Sequence, residues 1–269
     1  MEKAIVRQMT YIVNERLNPH RLQRQIPALT RRFFYGLLPD FLDNTAVKVS
    51  IIIPTLNEAG TIEKTLLRAQ GHNPHEIIIC DGGSRDGTLV IAEKHPTRIV
   101  TGWQGRALQM NAAARAATGD ILLFLHADNF LESAGYEKMV AGMQNEALAG
   151  GAFSLGIESD RWSLTLIASL ATWRSKLLHL TYGDQAIFAR TGIFKKVGGF
   201  SPIPICEDLD FFRKLRKEGN IRILNDKTIT SARRWLREGV VFTTLRNTAI
   251  AALFIMGVSP KVLSRWFVR

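Results

Sequence analysis

A chain of 269 residues, 46% hydrophobic and 22% charged, has the apolar material for a large buried core, and its length fits one large domain or two small ones. Two cysteines, Cys80 and Cys206, without CxxC spacing exclude a disulfide framework, speak against a zinc site and fit reduced thiols in a cytoplasmic setting. A net charge of +11 and a pI near 10.0 favour anionic partners such as nucleic acid, anionic lipid or phosphorylated substrates.

That charge is unevenly spread. From Lys227 to Arg269 there are eight Lys or Arg against the single acid Glu238, so this segment carries +7 of the +11. The start, Met1 to Gln8, lacks the uninterrupted apolar stretch of a signal peptide, and the longest apolar run, Thr248 to Val258, is too short to span a bilayer.

Residues 1–46 read as amphipathic helical pieces broken at Pro19, Pro27 and Pro39, an arm rather than a core element. A strand at Val49 to Ile53 follows, then a helix over Thr61 to Gln70 with apolar residues at Ile62, Leu66 and Ala69. The alternation repeats with a strand at Glu76 to Cys80, a helix from Thr88 to Lys94, a short strand at Arg98 to Val100 and a helix from Arg106 to Ala117. A fourth strand, Ile121 to Leu125, is apolar throughout. Strand, helix, strand in this rhythm predicts parallel pairing, and uniformly apolar strands predict helices on both faces: a doubly wound α/β half. Beyond it the texture changes. Gly150 to Leu155 reads as a strand, Trp162 to Leu180 as a long apolar helix, Gly183 to Arg190 as a turn and strand, Asp208 to Lys217 as a helix, and Val240 to Gly257 as a very apolar helix stopped by Gly257 and Pro260.

The polar residues of this pattern collect where strands end. The first strand runs into Pro54-Thr55-Leu56-Asn57-Glu58, the second into Asp81-Gly82-Gly83-Ser84-Arg85-Asp86-Gly87-Thr88, the fourth into His126-Ala127-Asp128. Ligands of open α/β sheets sit outside the carboxyl ends of the strands, so three such ends predict one shared site. Taken singly they are weaker: Asn57 and Asp86 suit helix caps, Arg106 suits a solvated helix start, and Glu207-Asp208 suits the acidic first turn of a helix. The first turn lacks G-x-G-x-x-G, which argues against a dinucleotide-binding domain.

Taken in order with Glu207-Asp208, these motifs resemble the series of family 2 glycosyltransferases with the GT-A fold, over roughly residues 47–235. The resemblance implies a mostly parallel central sheet with helices on both faces, flanked by the arm at 1–46 and a basic helical tail at 236–269. It implies transfer of one sugar, with inversion, from a nucleotide-diphosphate sugar to an acceptor hydroxyl on a small molecule or lipid. By resemblance, Pro54, Asn57, Glu58 and Asp81 hold the nucleotide, Arg106 its phosphates, and Ala127 and Asp128 the diphosphate with a divalent metal. His126 stands where the family has the first Asp of Asp-x-Asp. Imidazole suits Mn²⁺ better than Mg²⁺, so the metal's identity stays open. Asp208 is the expected general base, with Glu207 beside it. Gly183, Asp184 and Gln185 fall on the acceptor side, with Arg234 and Trp235 as a degenerate Arg-Trp motif. The Gln that leads this motif in processive synthases is missing, which favours single-sugar transfer.

The chain also resembles, as a whole, a short bacterial subgroup of family 2 associated with arsenosugar biosynthesis. The basic tail and its apolar helix fit either a helix packed on the core or peripheral attachment to the anionic inner face of the plasma membrane. No zinc finger, RNP-like strand or helix-turn-helix accompanies the charge, which argues against nucleic acid. Two other functions stay open from sequence: a sugar-nucleotide-binding protein without catalysis, and a sugar-1-phosphate nucleotidyltransferase. The latter would carry a Gly-rich basic loop after the first strand, and Pro54 to Glu58 is not that loop.

Overall fold

The computed structural model describes residues 47–266, and the arm expected at 1–46 lies outside them. Eight strands form one sheet in the order β3-β2-β1-β4-β7-β6-β8-β5. In its first half, β1 (Val49–Thr55), β2 (Glu76–Asp81), β3 (Arg98–Val100) and β4 (Ile121–Phe124) are parallel, with β1 between β2 and β4. Helices α1 (Ile62–Gln70), α2 (Thr88–Ala92) and α3 (Arg106–Ala116) make the crossovers, as the alternation predicts.

Both faces of this half are covered, which is why its strands are apolar without alternation. Ile51, Ile53, Ile77, Ile79 and Leu123 point into one core with Ile62 and Leu66 of α1. Their neighbours Ile52, Ile78, Leu122 and Phe124 point into a second core with Met110 and Ala113 of α3. Side chains alternate across a strand, so two dry faces require two apolar sets.

The second half is mixed rather than parallel. β7 (Phe188–Arg190) runs antiparallel to β4 and to β6 (Leu148–Glu158), β6 is parallel to β8 (Asn220–Ser231), and β5 (Asn129–Leu131) is antiparallel to β8. The glycine pair in β6 follows from this packing: a Cβ on Gly150 or Gly151 would collide with the carbonyl oxygens of Phe188 or Arg222. β5, β8 and helix α4 (Ser133–Gly142) are not predicted from the sequence. In β8 the reason is a register shift. Ala152 pairs with Ile223 and Ser154 with Lys227, so Leu224, Asn225 and Asp226 form a bulge, with Leu224 turned into the core, that breaks the period-two pattern.

Helices α5 (Trp162–Leu178), α6 (Thr191–Lys196), α7 (Glu207–Glu218), α8 (Arg233–Glu238), α9 (Val240–Ile255) and α10 (Pro260–Leu263) complete the described chain. An aromatic cluster sets the start of α7: Phe211 lies 4.4 Å from Phe200 and 6.2 Å from Phe124 of β4, centroid to centroid. Three buried rings thus hold α7 against the sheet, with its acidic first turn directed to the strand ends. The C-terminal segment is docked on this helix. Ile250 and Ala251 of α9 and Leu263 of α10 are buried against Cys206 and Leu209.

Candidate functional site

The carboxyl ends of β1 and β4 are adjacent, and strand order reverses direction there, with β2 on one side of β1 and β4 on the other. This is the switch point at which α/β sheets open a crevice. A cleft of about 1150 Å³ lies there. Pro54, Asn57, Glu58, Arg106, His126, Ala127, Asp128, Gly183, Asp184, Glu207, Asp208, Arg234 and Trp235 all line it. Residues dispersed over 180 positions therefore meet, as their placement at strand and helix ends predicts.

Two expected residues do not line it. Asp81 is buried, and its four acceptor positions are filled by its own loop and by Thr55 of β1. Oδ2 accepts the Gly83 and Ser84 N–H groups at 2.7 and 2.8 Å, and Oδ1 accepts the Thr55 and Ser84 hydroxyls. Gln185 is fully buried between Ser175 Oγ, which donates to its Oε1, and the Phe153 carbonyl, which accepts from its Nε2 at 3.0 Å. Asp81 shapes the loop against which Asn57 rests; Gln185 anchors the one-turn 3₁₀ helix Gly183–Gln185.

On the β1 side, Asn57 adopts a left-handed conformation (φ 55°), donates its N–H to Ser84 Oγ at 2.8 Å and accepts the Arg85 N–H at 2.9 Å. Asp86 accepts the Thr88 N–H at 3.1 Å from one residue before Gly87, which is the N-cap of α2. Glu58 turns toward Arg233 at 2.9 Å, and Arg233 also approaches Asp128 at 3.7 Å. Burial raises the Asp128 carboxyl above the ordinary aspartate range, and the neighbouring Glu58 adds to the rise.

The β4 end is held by Thr65, whose hydroxyl donates to the Ala127 carbonyl at 2.8 Å, and by Asn129, whose Nδ2 donates to the Asp184 carbonyl at 2.9 Å. Asn129 joins the His126-Ala127-Asp128 turn to the Gly183–Gln185 turn, a link that no local sequence pattern announces. Burial, and then the cations Arg106 and Arg234, depress His126 well below the ordinary histidine value, so its imidazole is neutral near pH 7. A neutral ring can ligate a metal; an imidazolium cannot.

Asp208 is the second residue of α7, which starts at Glu207 after Cys206, itself in a left-handed turn. Its Oδ2 accepts the Gly183 N–H at 2.6 Å and its Oδ1 the Leu209 N–H at 2.7 Å. Glu207 is buried and lies 3.5 Å from Arg106, which crosses from the start of α3. Asp184 has a buried Oδ1 without a hydrogen-bond partner, and burial pushes its carboxyl up to about 6. Among the described residues no group of three or more His, Cys, Asp or Glu could enclose a metal ion. Asp128 with a neutral His126 suits instead an ion completed by ligand oxygens.

The tail contributes more than the sequence suggests. Arg233, Arg237, Asn247, Ile250 and Lys261 line the cleft with the Pro202 to Cys206 loop, so α8, α9 and α10 form one of its walls. Apolar periodicity marks α9 as a helix, but only its docking on Leu209 brings Asn247 and Ile250 to the site.

The family model for glycosyl transferase family 2 matches residues 50–198, more than half of the chain. The chain belongs to glycosyl transferase family 2. Among family 2 relatives, it is 32% identical over 165 residues to the PGL/p-HBAD biosynthesis glycosyltransferase of Mycobacterium tuberculosis, covering 56% of this chain. The chain spans 62% of that relative's length. Glucosyl-3-phosphoglycerate synthase from Mycobacterium tuberculosis, solved with Mn²⁺ and UDP, is similar at a TM-score of 0.56 and 20% identity over 79% of this chain and 81% of that one. S. aureus TarS 1-349 with UDP-GlcNAc gives 0.55 and 19% over 68% and 58%. At these identities the structural likeness establishes the GT-A fold, and function is argued from the site.

Proposed function

We propose that this family 2 protein is an inverting glycosyltransferase that moves one sugar from a nucleotide-diphosphate sugar to an acceptor hydroxyl. The observation that carries this reading is the pairing of two differently placed carboxylates in one cleft. Asp128 sits at the strand end beside Arg233, and Asp208 sits at the helix start, held by the Gly183 N–H. A displacement at the anomeric carbon needs a base on the acceptor side and charge neutralisation on the leaving side.

In this scheme Pro54, Asn57 and Glu58 receive the nucleotide, and Asp81 acts by shaping their loop. Arg106 and Arg234 face the diphosphate. Asp128, with His126, would hold a divalent ion bound through donor oxygens; when bound, such an ion supplies Lewis-acid stabilisation of the leaving diphosphate. Asp208 takes the proton of the acceptor hydroxyl as the new C–O bond forms and the bond to the diphosphate oxygen breaks. Each Asp208 oxygen already accepts one backbone N–H and retains a lone pair for that proton. Gly183, Asp184 and Trp235 shape the acceptor side.

The Mn²⁺ and UDP of the synthase structure and the UDP-GlcNAc of TarS support a nucleotide-sugar donor and a divalent metal for this chain as well. We place the enzyme in the cytoplasm, with the basic segment after Asp226 drawn electrostatically to an anionic membrane surface. Among the described residues no helix is long and apolar enough to cross a bilayer.

Calorimetry with a panel of UDP and GDP sugars, with and without Mn²⁺, followed by assay of donor turnover, tests the function. Metal-dependent binding with slow donor hydrolysis is expected. Binding without hydrolysis or transfer would indicate a sugar-nucleotide-binding protein, and pyrophosphate-dependent exchange would indicate a nucleotidyltransferase.

A further inference from the structure

Helix α5 has two faces of opposite exposure. At about 100° per residue, Trp162, Leu166, Leu170, Trp173 and Leu177 fall within an arc of roughly 80°, with Leu164, Ala168 and Ser175 on the opposite side. The second set is buried, and the first is open to solvent, with Trp162 78% and Trp173 61% exposed. Helix α9 repeats the arrangement. Thr243, Arg246 and Ile250 are buried, whereas Val241, Phe242, Leu245 and, just past its end, Met256 are exposed. The two helices meet where Leu164, Ile167 and Val240 pack around Trp235, so the two exposed apolar stripes belong to neighbouring helices. Single exposed leucines are ordinary on a protein surface; two adjoining stripes with tryptophans are not.

The charges beside these stripes select the occupant. Neither α5 nor α9 contains an acidic residue, and beyond Glu238 the chain has none. Lys176, Arg237, Lys261 and Arg265 stand on or next to the two helices. The acids closest before α5 are Asp160 and Glu158, the latter paired with Lys64 at 2.8 Å. Tryptophans and basic side chains around an apolar helical face suit the headgroup layer of a bilayer, and neither helix can span one.

We infer that α5 and α9 form a monotopic insertion face that seats the protein on an anionic bilayer. This rests on the electrostatic reading of the basic segment for its lipid preference, and adds a surface that enters the acyl boundary. The same α9 presents Asn247, Ile250 and Ala251 to the cleft, so the insertion face and the site share one helix.

The test is co-sedimentation of the full chain with vesicles of phosphatidylcholine, alone or mixed with phosphatidylglycerol, at low and high salt. Wild type should prefer the anionic vesicles and keep part of its binding at high salt, where charge is screened. Leu166→Glu/Leu170→Glu should lower the salt-resistant partition about tenfold or more, the order expected for removing two inserted leucines, without changing UDP binding or the unfolding temperature. Trp173→Ser, a single change at an exposed position, gives a second reading if the double variant folds poorly. Unchanged partition of both variants would overturn the insertion face. So would salt-sensitive binding with no resistant fraction, which leaves the electrostatic reading intact. Loss of anionic preference with persistent binding would overturn the electrostatic reading alone. A lipid-free dimer of wild type that the α5 variants dissociate would assign the face to a second copy instead.

Discussion

Gly183 donates its backbone N–H to Asp208 Oδ2 at 2.6 Å, and a Cβ added to Gly183 would lie 2.7 Å from His126 Nε2. One glycine thus seats the base candidate against the strand-end triplet. Residues 57 and 25 positions apart, His126, Gly183 and Asp208, thus converge on a gap that no side chain fills.

Gly183→Ala should therefore act through position. The added methyl pushes either His126 or the 3₁₀ turn away and lengthens the bond to Asp208. We expect a fall in kcat of about tenfold or more, with nucleotide affinity nearly unchanged, since lost alignment at a reacting group costs rate steeply. Steady-state kinetics against UDP binding separates the two. Equal losses in both would assign Gly183 to folding rather than to alignment.

Asp208→Asn keeps an oxygen for the Gly183 N–H and removes the basic group. Transfer should drop by about 10²-fold or more, within the span that general-base catalysis contributes. Donor binding should survive. Full transfer by this variant would move the base to Glu207 or Asp184.

Asp128→Ala removes the carboxylate that faces Arg233 and Glu58. The expected outcome is loss of the Mn²⁺-dependent part of donor binding, leaving a weaker, metal-independent component from Arg106 and Arg234. Titration with UDP at fixed and at zero Mn²⁺ measures this directly. Identical metal dependence in wild type and variant would remove Asp128 from the metal site.

Asp184 supplies a pH prediction. Burial pushes its carboxyl up to about 6, opposed by Arg174 and reinforced by Asp208. An unfolded aspartate titrates near 4, at about 3.9. Between these values the native state holds more protons than the unfolded state, so stability falls as pH rises from about 4 to 6 and stays at the lower level above. Asp184→Asn should abolish this decline and stabilise the fold at pH 7 by on the order of 1 kcal/mol, a value reduced for the group's partial exposure. Urea unfolding of both proteins at pH 4 and pH 7 checks it: the two curves should separate only at the higher pH.

The sequence alone determined the parallel half of the fold and the gathering of polar residues at its strand ends. Uniformly apolar β1, β2 and β4, each followed by polar residues, leave few arrangements other than a covered sheet with a crevice at one edge, because dry faces and a wet rim impose that pattern locally. Asn57, Asp128 and Asp208 were legible as cleft-lining residues from their places at strand and helix ends. What tertiary structure alone decided depends on non-local contacts. The bulge at Leu224 to Asp226 hid β8, because its partner β6 and not its own periodicity makes it a strand. Asp81 and Gln185 look like site residues in sequence but are consumed by loop and core hydrogen bonds. Arg233 and Asn247 were not candidates in the sequence and line the cleft only through packing, while buried Asn129 ties two of its turns together. The open stripe of α5 reads in sequence as a helix either packed on the core or laid on a membrane surface, since apolar periodicity records which residues avoid water and not which surface, protein or lipid, removes them from it.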